Sequence, residues 1–191
     1  KVFMKIAWLS DIHLDHLSNE KFVDFVDHLV MQDVEAYFIT GDICHGLYHE
    51  TVFNIFERFL RAPMFFVLGN HDYGVFYEPT NFNYAAEQAS FWTRSVLEAE
   101  KDKQASDRRW SFLGELPMRK TLKAKLGQDA VIIDFVHASP RKPINEYIFP
   151  DDVYTNPAKV RALFDRVRHV CFIGHTHLPG VFLDEPDFYL P

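Results

Sequence analysis

Residues 66–74 read FVLGNHDYG, an apolar run that ends at Gly69 and is followed at once by Asn70, His71 and Asp72. The apolar part has the length and composition of a buried strand. In open α/β sheets, ligands bind beyond the carboxyl ends of the strands. A strand that ends in three polar side chains of different chemistry therefore indicates a site at that end.

The same pattern occurs at four other places, each after a short apolar stretch. These clusters are Ser10-Asp11-Ile12-His13, Gly41-Asp42-Ile43-Cys44-His45, His137, and Gly174-His175-Thr176-His177. Between the first three apolar stretches lie segments 20–33 and 50–61, in which apolar residues recur at helical spacing. This strand, helix, strand order predicts parallel strands joined by right-handed crossovers, so the polar clusters should converge on one crevice.

The later segments predict a helical insertion, a hairpin and a last αβ unit. Residues 85–104 have a helical pattern and residues 108–117 return the chain toward the core, which places a helical cap or insertion at about 75–115. Residues 116–124 and 129–137 flank a turn signal and predict antiparallel strands. The helix at 156–167 has Asn156 and Pro157 at its start, and it precedes a strand and a final strand pair. We expect a single domain over residues 1–191 with a layered α/β or α+β sandwich.

Composition and charge limit the classes of function that the chain can have. The chain has 191 residues, is 48% hydrophobic and carries a formal charge of -7, so a sizeable core is available and the chain as a whole has no basic footprint for long nucleic acids or anionic membranes. Its apolar runs are too short to cross a bilayer, and an acidic residue comes too early for a secretory signal. Two cysteines make no disulfide framework. We expect a cytoplasmic protein.

The spacing of the polar residues indicates metal binding. In an extended backbone, residues two apart point to the same side, so Asp11 pairs with His13, and His175 with His177. Imidazoles mixed with carboxylates suit manganese, iron or zinc better than calcium. Asp42 has two carboxylate oxygens that can serve two ions.

Two divalent ions bring about +4, and Asp11, Asp42 and one hydroxide remove about 3, which leaves a site of about +1 that attracts an anion. Hydrolysis of a phosphoester is the leading hypothesis.

In this order, the blocks D-x-H, G-D, G-N-H-D, a lone His and G-H-x-H resemble the calcineurin-like metallophosphoesterase superfamily. The stretches NYAAEQASFWTRSVL and HASPRKPINEYIFP are similar to those of its small bacterial and archaeal phosphoesterases, with Ala138 where glycine is usual. The resemblance implies a four-layer α/β (α+β) sandwich of two mixed β-sheets flanked by helices. It also implies two divalent ions, with manganese expected first and iron, zinc, cobalt or nickel as alternatives.

The resemblance further implies a role for each matching residue. The first ion would be held by Asp11, His13 and His177, the second by Asn70, His137 and His175, and both by Asp42. A hydroxide held between the ions would be the nucleophile. His71 would protonate the leaving oxygen, and Asp72 would orient His71.

Several interpretations stay open at this point. Asp72 is either the orienting residue or a turn residue bonded to its own backbone. His45 and Arg141 are either substrate contacts or solvated loop residues, and Cys44 is either an oxidisable thiol or a small buried residue. The expected partner is a phosphorylated small molecule, a nucleotide or a phosphoprotein. The competing functions are a scaffold that has lost catalysis and a nuclease, which should need a basic groove.

Overall fold

The computed structural model describes residues 4–44, 48–185 and 187–190. The strands in these ranges are Ile6–Ser10 (β1), Ala36–Thr40 (β2), Met64–Val67 (β3), Lys120–Leu126 (β4), Asp129–Phe135 (β5), Val170–Phe172 (β6), Val181–Leu183 (β7) and Asp187–Tyr189 (β8). The helices are Asn19–Met31 (α1), Tyr48–Phe59 (α2), Asn70–Phe76 (α3), Tyr84–Glu98 (α4), Lys103–Glu115 (α5), Asp152–Thr155 (α6) and Pro157–Phe164 (α7).

The first sheet consists of β1, β2 and β3, and all its described strands are parallel, as the strand, helix, strand order predicts. Its register places Ser10 beside Thr40, and Thr40 beside Val67. The three strands therefore end at the same edge of the sheet. The polar residues that follow the three strands therefore lie at this edge of the sheet.

The core forms on both faces of β2, because side chains of a strand alternate between faces. Tyr37 and Ile39 belong to the apolar cluster that contains Phe56 of α2 and residues of α1. Phe38 points the other way and stacks on Phe135 of β5 at 3.9 Å between ring centroids, with the planes 6° apart. Two sheets thus pack face to face, with helices over the outer face of the first.

The second sheet has the order β4-β5-β6 and is mixed. β4 and β5 form the predicted antiparallel hairpin, and β6 runs parallel to β5 with Phe172 beside Phe135. β7 and β8 form the predicted final antiparallel pair. In α7, the Asn156 side chain accepts from the Lys159 N–H and Pro157 is the first residue, as predicted. The α/β sandwich class is confirmed.

The segment between the two sheets differs from the prediction in its inserted part. Asn70 begins helix α3 directly after the β3 exit. Residues 108–117, predicted to return toward the core, belong mostly to α5, because Asp102 caps that helix by accepting from the N–H groups of Gln104 and Ala105. The pattern predicted over residues 85–104 is therefore divided between two helices.

Helix α4 is attached to the end of α3 by one arginine. The Arg94 guanidinium donates to the carbonyl groups of Gly74, Val75 and Tyr77, which lie at the C-terminal end of α3. Helices α3 and α4 are thus packed together. Among the described residues, no helix combines the length and apolarity that crossing a bilayer requires.

Candidate metal centre

The five polar clusters follow the carboxyl ends of β1, β2, β3, β5 and β6. Backbone hydrogen bonds bring these ends together. The His13 N–H donates to the Asp42 carbonyl at 3.1 Å, and the Gly174 N–H donates to the His137 carbonyl at 2.7 Å. The two facing sheets therefore place the clusters at one crevice.

One group of candidate ligands consists of Asp11, His13 and His177. One donor atom from each lies within 4.8 Å of the others. Nε2 of His177 is 3.3 Å from Oδ1 of Asp11, and the rings of His13 and His177 are 5.1 Å apart. This is the donor set that the resemblance implies for the first ion.

A second group forms around His137, which is fully buried. Its Nδ1 lies 3.0 Å from the Thr40 carbonyl, which can only accept, so Nδ1 carries the proton. In the neutral ring, Nε2 then offers a lone pair 2.8 Å from Oδ1 of Asn70 and 3.7 Å from Oδ2 of Asp42. Lone pairs that face each other repel unless positive charge lies between them. The arrangement suits ligands of one cation.

The two aspartates each leave an oxygen that a cation would satisfy. Oδ1 of Asp11 and Oδ1 of Asp42 are buried and accept no hydrogen bond from the described residues. The pKa of Asp42 is raised to about 7, mainly by burial and also by Asp72 and Asp11, against the opposing effect of His137. A buried carboxylate this poorly solvated fits a divalent ion bound directly to its oxygens.

His175 lies beside the second group. Its backbone N–H donates to Oδ2 of Asp11 at 2.9 Å, and its ring is 4.9 Å from that of His137. Burial, with a further contribution from His137, lowers the pKa of His175 to about 4. The ring is therefore neutral at physiological pH, which is the form that ligates a metal.

The backbone of the ligand loops is not extended, contrary to the assumption behind the spacing argument. Five candidate ligands have positive φ: Asp11 at 50°, His13 at 37°, Asp42 at 49°, His175 at 65° and His177 at 57°. This left-handed region is uncommon outside glycine and clusters at functional sites. As a result His175 and His177 diverge, one toward His137 and the other toward His13.

Two glycines let the exits of β2 and β3 touch. Gly41 has φ of 76°, and a Cβ there would lie 2.7 Å from Nδ1 of His137. A Cβ on Gly69 would lie 2.5 Å from Oδ1 of Asp42 and 2.8 Å from Cα of Gly41. The G-D and G-N-H-D blocks therefore need glycine because their backbones are in contact.

His71 and Asp72 lie on α3 at the edge of this site. Nε2 of His71 is 3.9 Å from Oδ2 of Asp42, and its backbone N–H donates to the Asp42 carboxylate. The His71 ring is partly exposed and lies 5.0 Å from the ring of Phe82. Oδ2 of Asp72 accepts from the Gly69 N–H at 3.1 Å, so Asp72 serves as a backbone cap of α3.

The other predicted contacts have different outcomes. The Arg141 guanidinium is paired with the Glu146 carboxylate, which favours a structural role for Arg141. His45 lies outside the described residues. Cys44 is buried, and burial raises the pKa of its thiol to about 12, which favours the small buried residue over a reactive thiol.

A cavity of about 620 Å³ lies apart from the candidate metal centre. It lies between α2 and the helices α3, α4 and α5, and its lining is mostly apolar. Asp72 contributes to the lining, but none of the seven candidate ligands does.

Four residues of the site were assigned no individual role from the sequence. The Ser10 hydroxyl donates to Asp11, and the Thr40 carbonyl orients His137. Oδ1 of Asn145 is 3.3 Å from Nε2 of His175, and the Tyr147 ring stacks on His175 at 4.2 Å. Ser10 and Thr40 precede ligand blocks, which was an available signal. Asn145 and Tyr147 are remote in sequence from His175, and their available signal was the stretch HASPRKPINEYIFP that contains them.

Comparison with known proteins bears on the family and the fold. Residues 4–179 match the family described as calcineurin-like phosphoesterase. No curated protein matches the chain significantly in sequence. Among solved structures, a hypothetical protein, PH1004, from Pyrococcus horikoshii OT3 is similar in fold with a TM-score of 0.64 and 16% identity, over 93% of this chain and 71% of that one. With its fold and nearly its whole length matched, the chain belongs to the calcineurin-like phosphoesterase family.

Proposed function

We propose that this chain is a phosphoesterase with a dinuclear metal centre, and that it hydrolyses a phosphomonoester or phosphodiester. The observation that carries the proposal is the convergence of two donor groups that share Asp11. Asp11 belongs to the group with His13 and His177, and also lies within 4.8 Å of Asp42 and His137 donor atoms. Adjacent groups of this kind fit two neighbouring ions.

The chain's own residues fit such ions by their chemistry. Asp11, His13 and His177 would hold the first ion, and Asp42 would contribute to both. The second would be held by Asn70, His137 and His175. When bound, the two ions would supply positive charge for the phosphate oxygens and a hydroxide near neutral pH. The mixed nitrogen and oxygen donors favour manganese, with iron, zinc, cobalt and nickel as alternatives.

His71 is the proposed general acid. Its ring lies at the open side of the crevice, with Nε2 near Asp42, and it is the partly exposed histidine of α3. Its proton would pass from Nε2 to the leaving oxygen as the ester bond breaks. Asp72 would act indirectly, by fixing the first turn of α3 through Gly69.

The proposed substrate is a phosphorylated small molecule, a nucleotide or a phosphoprotein. The formal charge of -7 disfavours long nucleic acids, whose binding depends on many basic contacts. We propose a cytoplasmic location, on the basis of the short apolar runs and the absence of a disulfide framework in the sequence.

The test uses His71→Asn with two classes of ester. For an alkyl phosphate, whose leaving group needs a proton, kcat should fall roughly 10²- to 10⁴-fold. For a nitrophenyl phosphate, whose leaving group departs as an anion, the loss should be much smaller. His28→Asn is the control, because His28 is exposed on α1.

Two results would oppose the proposal. Equal losses for both esters would remove the acid role from His71. A wild-type protein that binds manganese but hydrolyses no ester of a broad panel would favour the scaffold interpretation.

A further inference from the structure

We propose that Asn145 is a positioning residue for the second ion: it holds His175 in the tautomer with its proton on Nε2 and so leaves Nδ1 as the ligand atom. The inference rests on the proposed function in that it assumes ion binding by His175. It concerns a residue outside the five blocks of the family pattern, in the loop between β5 and α6.

The orientation of the Asn145 amide follows from its other partner. Nδ2 of Asn145 lies 3.1 Å from the carbonyl oxygen of Thr80. A carbonyl oxygen only accepts, so the NH₂ group must lie on the Thr80 side. The amide oxygen Oδ1 then faces His175.

The amide in turn decides the tautomer of the imidazole. Oδ1 of Asn145 is 3.3 Å from Nε2 of His175, and an amide oxygen only accepts, so Nε2 must donate. A histidine that ligates an ion keeps one ring nitrogen unprotonated. With the proton on Nε2, that nitrogen is Nδ1.

Further contacts fix the plane of the ring. Tyr147 stacks on His175 with ring centroids 4.2 Å apart and planes 26° apart. The Ile148 N–H donates to Oγ1 of Thr176 at 3.1 Å, which joins the Asn145 loop to the residue after His175. The loop therefore sets both the plane and the protonation of this side chain.

The loop is itself held in place. Glu146 accepts from the Ser139 hydroxyl at 2.5 Å and pairs with the Arg141 guanidinium. Asn145 also connects the loop to Thr80, in the segment that leads into α4. A single amide thus links the inserted helices to a candidate metal ligand.

The first test compares Asn145→Asp with Asn145→Leu by titration of manganese against a competing chelator. The aspartate keeps an acceptor for His175 but loses the donor to Thr80, whereas the leucine loses both. Loss of a side chain that hydrogen-bonds a metal ligand typically weakens metal binding roughly 10- to 100-fold. We expect that loss at the second ion in Asn145→Leu and near wild-type affinity in Asn145→Asp, with the first ion unchanged in both. Equal losses in the two variants would show that the Thr80 contact matters instead and would overturn the inference.

The second test reads the tautomer directly in metal-free protein, by long-range ¹H–¹⁵N correlation spectra of the histidine rings. We expect His175 to be protonated at Nε2 in wild type and to become a mixture in Asn145→Leu. A proton on Nδ1 in wild type would overturn the inference. Because this readout needs neither metal nor substrate, a protein that shows the expected tautomer but hydrolyses nothing would refute the proposed function alone.

Discussion

Replacement of Asp42 by asparagine should stabilise the metal-free protein at pH 8 and remove the stabilisation that added metal gives. Asp42 is 5% exposed, lies near Asp11 and Asp72, and has one carboxylate oxygen without a hydrogen bond from the described residues. An ionised carboxylate in that place is costly without a cation. Asparagine removes the charge and keeps the size of the side chain.

The magnitude follows from the pKa of Asp42. Folding raises it from 3.8 to about 7, so the folded protein binds the proton more tightly than the unfolded chain. The stabilisation that protonated Asp42 gives to the folded protein is complete below about pH 4 and is lost as the pH rises through 7. Fully ionised, the carboxylate lowers the free energy of unfolding by roughly 4 kcal/mol. Relative to wild type, the free energy of unfolding of Asp42→Asn should therefore increase most above pH 7 and little near pH 4.

Urea unfolding with EDTA at pH 5, 6, 7 and 8, repeated with manganese, measures both effects. The control is Asp134→Asn, because Asp134 is equally buried but lies 3.7 Å from Arg119 and 3.5 Å from Arg168. Loss of that paired charge should destabilise the protein. If Asp42→Asn is no more stable than wild type at pH 8 without metal, the argument from buried charge is wrong.

Two further changes test the surroundings of the site. Gly69→Ala would place a Cβ against Oδ1 of Asp42 and the Gly41 backbone, so we expect a loss of about 3 kcal/mol in the free energy of unfolding together with weaker metal binding. A thermal transition like that of wild type would contradict this. Burial raises the pKa of Glu146, but hydrogen bonds from Arg141 and Ser139 outweigh it and lower the pKa overall. Glu146→Gln should therefore cost about 1–2 kcal/mol at pH 7, and in urea unfolding the difference from wild type should shrink as the pH falls below the ordinary pKa of a glutamate.

The sheets could be predicted because their signals are local. The apolar runs that become β1, β2 and β3 are short, rich in strand formers and separated by segments of helical period, which together predict parallel pairing. The hairpin of β4 and β5 has its turn signal between two strand patterns, and Gly127 occupies a left-handed position in that turn. Polar clusters at strand ends then predict convergence, because parallel strands end at one edge.

The parts that were not predicted depend on contacts between remote residues. Asp102 caps a new helix, α5, within a helical pattern that is continuous in the sequence. Periodicity alone does not show that one helix ends and another begins there. The left-handed backbone at Asp11 and His13 comes from the packing of strand exits, since the His13 N–H bonds to the Asp42 carbonyl. Asn145 meets His175 only because two loops pack together.

The left-handed conformation of five candidate ligands changes how substitutions at them should be interpreted. Alanine in that region costs roughly 1–2 kcal/mol per residue, whereas asparagine and glycine adopt it readily. An alanine variant of Asp11 or His177 would combine the loss of a ligand with backbone strain, and its lower stability would be mistaken for a structural role. Glycine variants avoid the strain and offer no ligand atom, so a glycine scan rather than an alanine scan is the appropriate mutagenesis for this centre.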